Sequence, residues 1–199
     1  MFHDVINVRR AHKATEAGVD GLIAVCAGAG GHAGTLNPFA LLPEIRRFFP
    51  KTLVLSGALS TGAHIAAARM MGADLAYRGT RFIAAVENSA PVAFKDMIVA
   101  SQASDIVYTA AIRGVHGNFL RPSIEASGAE INLAAPAKAY EPGHRRKAWK
   151  NIWSAGQGVG NIDDAPPIAT LCTRLEREYR DALAEAAAEQ AAWRLGARD

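Results

Sequence analysis

Val8, Ala11, Ala14 and Ala17 recur at helical spacing between Asn7 and Ala17, and Gly18 stands where a left-handed residue closes a helix. The next run, Asp20-Gly21-Leu22-Ile23-Ala24-Val25-Cys26, is nearly all apolar, the pattern of a strand covered on both faces in a parallel sheet. It opens into a glycine-rich loop, Ala27-Gly28-Ala29-Gly30-Gly31-His32-Ala33-Gly34. Pro43 fits the first turn of a short helix reaching Phe49. Thr52-Leu53-Val54-Leu55 predicts a second buried strand ending at Ser56-Gly57-Ala58. Ser60 or Thr61 can cap a helix running to Met71, with Gly72 as its stop. Asp74-Leu75-Ala76-Tyr77 then predicts a third strand, ending at Arg78-Gly79-Thr80.

Gly18-Val19-Asp20 and Gly72-Ala73-Asp74 repeat one punctuation, so this stretch reads as two copies of a unit: helix, glycine stop, strand. Short connections in the order β-α-β-α-β favour parallel strands with right-handed crossovers. The expectation is three parallel strands near 20–26, 52–57 and 74–78, side by side in that order, with the loops 27–34, 56–60 and 78–81 on one edge. Further on, the pattern predicts a helix from Val92 to Ser101 and a strand within Asp105 to Ala111. After Gly114 regularity fails, and Pro122, Pro136, Pro142, Pro166 and Pro167 punctuate the chain. The basic run His144-Arg145-Arg146-Lys147 reads as a solvated face. Trp149 and Trp153, four apart, predict one helix face on the core, and an alanine-rich helix is expected from Pro167 to about Leu195.

Composition narrows the class. The chain has 199 residues, half of them hydrophobic and 21% charged, enough to bury a core and inconsistent with global disorder. Charges interrupt every apolar run short of the roughly 18 residues of a membrane span. The start, MFHDVINVRR, has no basic head followed by an apolar block. A cytoplasmic location without a membrane partner is therefore expected, with Cys26 and Cys172 as reduced thiols. A net charge of +3 is too small to argue for nucleic acid, and no pair of the six histidines has metal-ligand spacing, so neither nucleic acid nor metal is expected.

Chemistry concentrates at the strand ends. Gly30-Gly31-His32 follows a buried strand, at the end where parallel α/β folds bind ligands. Two glycines let backbone approach a flat cofactor, and His32 can accept a proton near neutral pH; a tight turn with a hydrogen-bonded loop histidine fits the same residues. Ser56-Gly57-Ala58 and Gly79-Thr80 follow consecutive strands, so their amides and the Thr80 hydroxyl can form an anion cradle, or be two ordinary turns. No G-x-G-x-x-G opens a helix after the first strand, which excludes a Rossmann fingerprint, and there is no P-loop. The glycines of NIWSAGQGVG (151–160) suit a binding loop or a plain one.

Taken together, AGAGGHAG (27–34), LLPEI (41–45), SGALSTG (56–62), MGADLAYRGTRF (71–82), Lys95 and IWSAGQGVG (152–160) resemble the nitronate monooxygenases, once called 2-nitropropane dioxygenases. The resemblance implies an α/β fold, the C-terminal portion of a TIM (β/α)8 barrel in residues 1–103 with an appended, mainly helical region in 104–199. It implies FMN as cofactor, an alkyl nitronate or nitroalkane as small-molecule substrate, and O2 as co-substrate, with carbonyl compound and nitrite as products; a homo-oligomer is compatible with it. His32 corresponds to the catalytic base, Gly30 and Gly31 to the backbone facing the flavin, and Gly57, Ala58, Gly79 and Thr80 to the phosphate cradle. The family usually has a second glycine at position 58 and a smaller or apolar side chain at position 78. Phe2 to Ile6 correspond to the fifth barrel strand, and a full barrel needs roughly 250 residues, so an N-terminally truncated enzyme is expected. The glycine-rich histidine loop is also similar to FMN-dependent enoyl-thioester reductases, and a non-catalytic half-barrel is the reading of another class.

Overall fold

The structure is a computed structural model and describes residues 1–128, 130–134 and 151–196. Its main sheet has four parallel strands: β1 (Phe2–Val5), β2 (Gly21–Val25), β4 (Thr52–Ser56) and β5 (Leu75–Tyr77), in the order β1-β2-β4-β5. Ile23 pairs with Val54 and Asp4, and Leu55 with Ala76, so the three strands expected from the sequence lie side by side in their expected order. The extended run at Phe2–Val5 adds a fourth.

The repeated punctuation is one structural device used twice. Helix α1 (Val8–Glu16) ends with the Ala17 amide donating to Lys13 O and the Gly18 amide to Thr15 O; helix α3 (Gly62–Met70) ends with Met71 donating to Ala67 O and Gly72 to Arg69 O. Gly18 and Gly72 have φ of +79° and +96°, a conformation in which a Cβ would be strained. The next aspartate then delivers the chain to the sheet: Asp20 N–H donates to Met1 O, and Asp74 N–H to Leu53 O at 2.7 Å. The Asp74 carboxylate also accepts from Leu53 N–H and from Arg46 Nη2. The hydrogen bond from Leu53 and the Arg46 guanidinium hold its pKa below the usual carboxylate range.

Alternation sorts the strand residues. Leu22, Ala24, Leu53 and Leu55 point to the helix side and form one core with Leu41, Leu42, Ile45 and Phe49. Helix α2 (Pro38–Arg46) starts five residues earlier than expected: Asn37 caps it, Pro38 occupies the first turn, and Pro43 lies inside. Two prolines each suit a first turn, and only the cap at Asn37 distinguishes them.

The second half builds a flank. Helix α4 (Thr80–Ile83) leads to α5 (Val92–Ala100), and β6 (Ile106–Thr109) pairs antiparallel with β7 (Gly117–Leu120). β7 falls where the sequence pattern appeared to lose regularity; it is only four residues long and all buried, too short to show a period. It also pairs antiparallel with β3 (Gly31–His32), so the glycine-rich loop contains a short strand. After α6 (Arg121–Ala126), Trp153 is not in a helix but stacks on Phe94 at 4.8 Å between ring centroids. Trp149 and the run 144–147 lie outside the described residues. Helix α7 (Ile168–Gly196) matches the expected long helix and packs on α3. A Cβ on Gly62 would run into the α7 backbone at Leu175 and Tyr179, and the Gly62 amide donates to Glu178 Oε2 at 2.7 Å.

Among the described residues neither β1 nor β5 has a second strand neighbour, whereas a closed barrel has no edge. On the face away from the helices, Phe2, Leu75 and Tyr77 are 48%, 56% and 60% exposed. An unpaired edge beside apolar side chains is a pairing template, so the chain is expected to self-associate. Leu75→Lys, a charge on that edge, should shift the sedimentation profile toward monomer; an unchanged profile would mean that β5 takes no part.

Candidate functional site

The C-terminal ends of β2, β4 and β5 release three loops, and these meet in one cleft. It is lined by residues 28–30, 56–60 and 77–80, and closed by Gly156 and Gly158 from the C-terminal half. Gly30, Gly57, Ala58, Gly79 and Thr80 therefore converge as the sequence led us to expect. His32 and Gly31 do not line the cleft; they sit on β3, just beyond Gly30. His32 is exposed and opposite Gly117. Apart from its chain neighbours, no described residue has an atom within 4 Å of where a Gly31 Cβ would be, so the backbone there has an open side that a flat ligand could approach.

The cleft offers donors. No acceptor in the protein takes up the amides of Gly57, Ala58, Gly79 or Thr80 among the described residues. Thr80 Oγ1 accepts from the Gly156 amide at 2.9 Å, which leaves its own hydrogen free to donate. Ala58, where a glycine was the usual residue, adopts φ +54°, the left-handed region. Arg78 reaches the same cleft from the end of β5. Its Nη1 is buried without a hydrogen-bond partner, and its guanidinium lies 5.7 Å from the centroid of the Phe82 ring.

The sequence left residues 151–160 open between a binding loop and a plain one, and did not show which residues they meet; in the structure they close the cleft. The Gln157 amide donates to Gly28 O at 2.8 Å, and Ser60 Oγ to Gly158 O at 2.7 Å. A Cβ on Gly156 would stand 2.6 Å from Gly28 O, and one on Gly30 would stand 2.9 Å from Gly156 N. The glycine spacing of 156–160 was the available signal, but its partners lie about a hundred residues away in the chain.

Histidine 64 supports the cleft from below. Its Nδ1 accepts from the Ser60 amide at 3.0 Å, so the ring is neutral with its proton on Nε2. Burial first, then the nearby Arg78 charge, holds its pKa below the ordinary imidazole value, against the opposing pull of Glu178. Cys26, by contrast, is a buried thiol pushed up to about 12 by desolvation, and so is not a nucleophile.

Two outcomes follow from this geometry. Ala58→Gly should raise stability by about 0.5–1 kcal/mol, since release of left-handed strain exceeds the entropy glycine adds to the unfolded chain; urea denaturation reads it, and a loss of stability would refute the strain. For His64 the unfolded chain binds the proton more readily than the folded one, so stability is complete above about pH 6.5 and declines as pH falls below it. His64→Gln should remove that part of the slope between pH 7 and 5, measured by urea midpoints across pH.

Comparison with known proteins agrees with this architecture. The family model described as nitronate monooxygenase matches residues 3–178. The nitronate monooxygenase of Paraburkholderia phytofirmans is 30% identical over 204 aligned positions, which cover 92% of this chain and 55% of the relative; the chain thus spans about half the length of that protein. Among solved structures, the nitroalkane oxidase of Streptomyces ansochromogenes superposes with a TM-score of 0.78 at 27% identity, covering 93% of this chain and 58% of that one. A FabK mutant from Thermotoga maritima gives 0.77 at 25%, covering 94% and 62%. Both are TIM-barrel enzymes, and the parallel sheet described above is the C-terminal portion of such a barrel. The matched pattern runs through the strand-end loops and on to Glu178 in α7, and the chain belongs to the nitronate monooxygenase family.

Proposed function

We propose that this chain takes part in the FMN-dependent oxidation of alkyl nitronates by O2, giving a carbonyl compound and nitrite. The observation that carries the reading is the cleft itself: four backbone amides without acceptors among the described residues and the Thr80 hydroxyl converge at the ends of two adjacent parallel strands, and Arg78, whose Nη1 is buried without a partner, lines the same cleft. That donor set suits a phosphate, and the open backbone at Gly31 leaves room for the ring system of a phosphorylated flavin. The residues present therefore fit FMN: Gly57, Ala58, Gly79 and Thr80 would hold its phosphate, and Gly30 and Gly31 would face the ring. When bound, the flavin supplies the redox chemistry, taking electrons from the nitronate and passing them to O2.

The protein's own part is binding and proton management. His32 stands two residues beyond the cleft's Gly30, exposed and with its backbone fixed by β7. Its Nδ1 or Nε2 would take the α-proton of a neutral nitroalkane, whose acidity is near enough to imidazole's range for the transfer to be efficient. Around it, Asn118 Nδ2 donates to Ala29 O at 2.7 Å and Tyr108 Oη donates to Ala33 O at 3.0 Å, which hold the loop on either side of the histidine. A soluble small molecule and O2 are the partners this chemistry needs, and a cytoplasmic setting supplies both. A second reading, an FMN-dependent enoyl-thioester reductase, draws support from the likeness to FabK; rapid reduction of bound flavin by NADH or NADPH would favour it.

His32→Asn should leave FMN binding intact and lower turnover of neutral nitroalkanes by about a hundredfold or more, while turnover of the pre-ionised nitronate falls much less. Equal losses on both substrates, measured by nitrite release, would make His32 a positioning residue.

A further inference from the structure

Among the described residues Arg78 is the one charged residue lining the cleft. It leaves β5 immediately before Gly79, so its guanidinium is carried on the same turn as two of the free amides. Among the described residues no carboxylate comes within ion-pair distance of it, although the chain pairs Arg46, Arg81, Arg174 and Arg180 with acids at 2.5–2.6 Å. Glu178, whose charge acts on Arg78 from beyond ion-pair distance, already accepts the Gly62 amide. Two cations sharpen the contrast: Arg81, three residues on, is 3% exposed and satisfied twice over by Asp164, whereas Arg78 Nη1 is buried with no acceptor. A guanidinium stays protonated even where burial opposes the charge, and Phe82 beneath it gives only a cation–π contact. A buried charged donor without an acceptor is costly unless a ligand supplies one.

We infer that Arg78 is the counter-cation of an oxyanion site in this cleft, which takes the phosphate dianion of a mononucleotide cofactor and selects it over the unphosphorylated form. The guanidinium would supply the positive charge and charged donors to the phosphate, beside neutral donors from the Gly57, Ala58, Gly79 and Thr80 amides. The inference rests on the cleft reading given above, but it assigns to Arg78 a role that backbone amides alone cannot fill: charge neutralisation, which makes affinity depend on phosphate ionisation and on salt.

The test uses inorganic phosphate first, since it does not depend on a flavin. Thermal unfolding of the chain at pH 8 in sodium phosphate, against sodium chloride of equal ionic strength, should show a phosphate-specific stabilisation of a few degrees. Arg78→Met, close in length and uncharged, should abolish it while remaining as stable as the parent in chloride; Arg78→Lys should restore part of it. Titration by flavin-fluorescence quenching should give the parent chain at least about a tenfold preference for FMN over riboflavin, reduced nearly to none in Arg78→Met with riboflavin affinity unchanged. An equal phosphate effect in the parent and Arg78→Met, or none in the parent, overturns the assignment. If Arg78→Met does not fold, Arg78→Gln carries the same comparison. Phosphate stabilisation through Arg78 without FMN binding would keep the anion site and overturn the flavin reading, so the two fail separately.

Discussion

Backbone lies directly on backbone where residues 155–158 cross the loops that follow β2 and β4. A Cβ at Gly28 would meet the Gln157 side-chain oxygen at 2.8 Å, one at Gly156 would meet Gly28 O at 2.6 Å, and one at Gly158 would collide with Ser60 Oγ. Three glycines from two distant stretches thus fit because none has a side chain, and their amides and carbonyls pair across the crossing. The strand ends bring the three loops together, and this contact fixes them to one another. Gly156 donates to Thr80 Oγ1, which sets the Gly79–Thr80 turn; Ser60 is buried at 2% exposure between Gly158 and His64; and Ala29, beside the crossing, is tied to β7 by Asn118.

Charge is arranged around that crossing with the same economy. Asp164 accepts from both Arg81 and Arg174, so one carboxylate ties α4 to α7. The Arg174 hydrogen bond, with Arg81 behind it, holds the Asp164 pKa below the usual range; this clamp therefore contributes above the ordinary carboxylate pKa and fades as acid protonates it. Arg81 and Arg174 thus share one carboxylate beside α4, and Asp163 and Glu178 add their negative charge around Arg174.

The parallel sheet was legible because its strands are short apolar runs bracketed by glycine and aspartate, and because the same bracket occurs twice. Convergence of Gly57, Ala58, Gly79 and Thr80 followed from strand order alone. Local ambiguity explains the misplaced start of α2, where Pro38 and Pro43 both suit a first turn and only the Asn37 side chain decides. Non-local pairing explains the rest. Four-residue β7 is recognisable only through its partners β3 and β6, and Gly156 and Gly158 acquire meaning only against Gly28 and Ser60. At position 78 the sequence showed only a departure from the smaller or apolar side chain usual in the family; the missing acceptor of Arg78 Nη1 is something no local pattern reveals.

The crossing also imposes an order on folding. The Ser60–Gly158 bond joins residues 98 apart, the Thr80–Gly156 bond joins residues 76 apart, and the Gly62–Glu178 bond spans 116. Such loops close late, after the local β-α-β units have formed, because their entropy must be met before their contacts return anything. During synthesis the three strand-end loops therefore emerge without their fourth wall, and the cleft comes into being only when the chain beyond residue 155 returns to them. A ligand that needs all four walls can recognise only the finished fold, and its binding then holds together segments from opposite ends of the polypeptide.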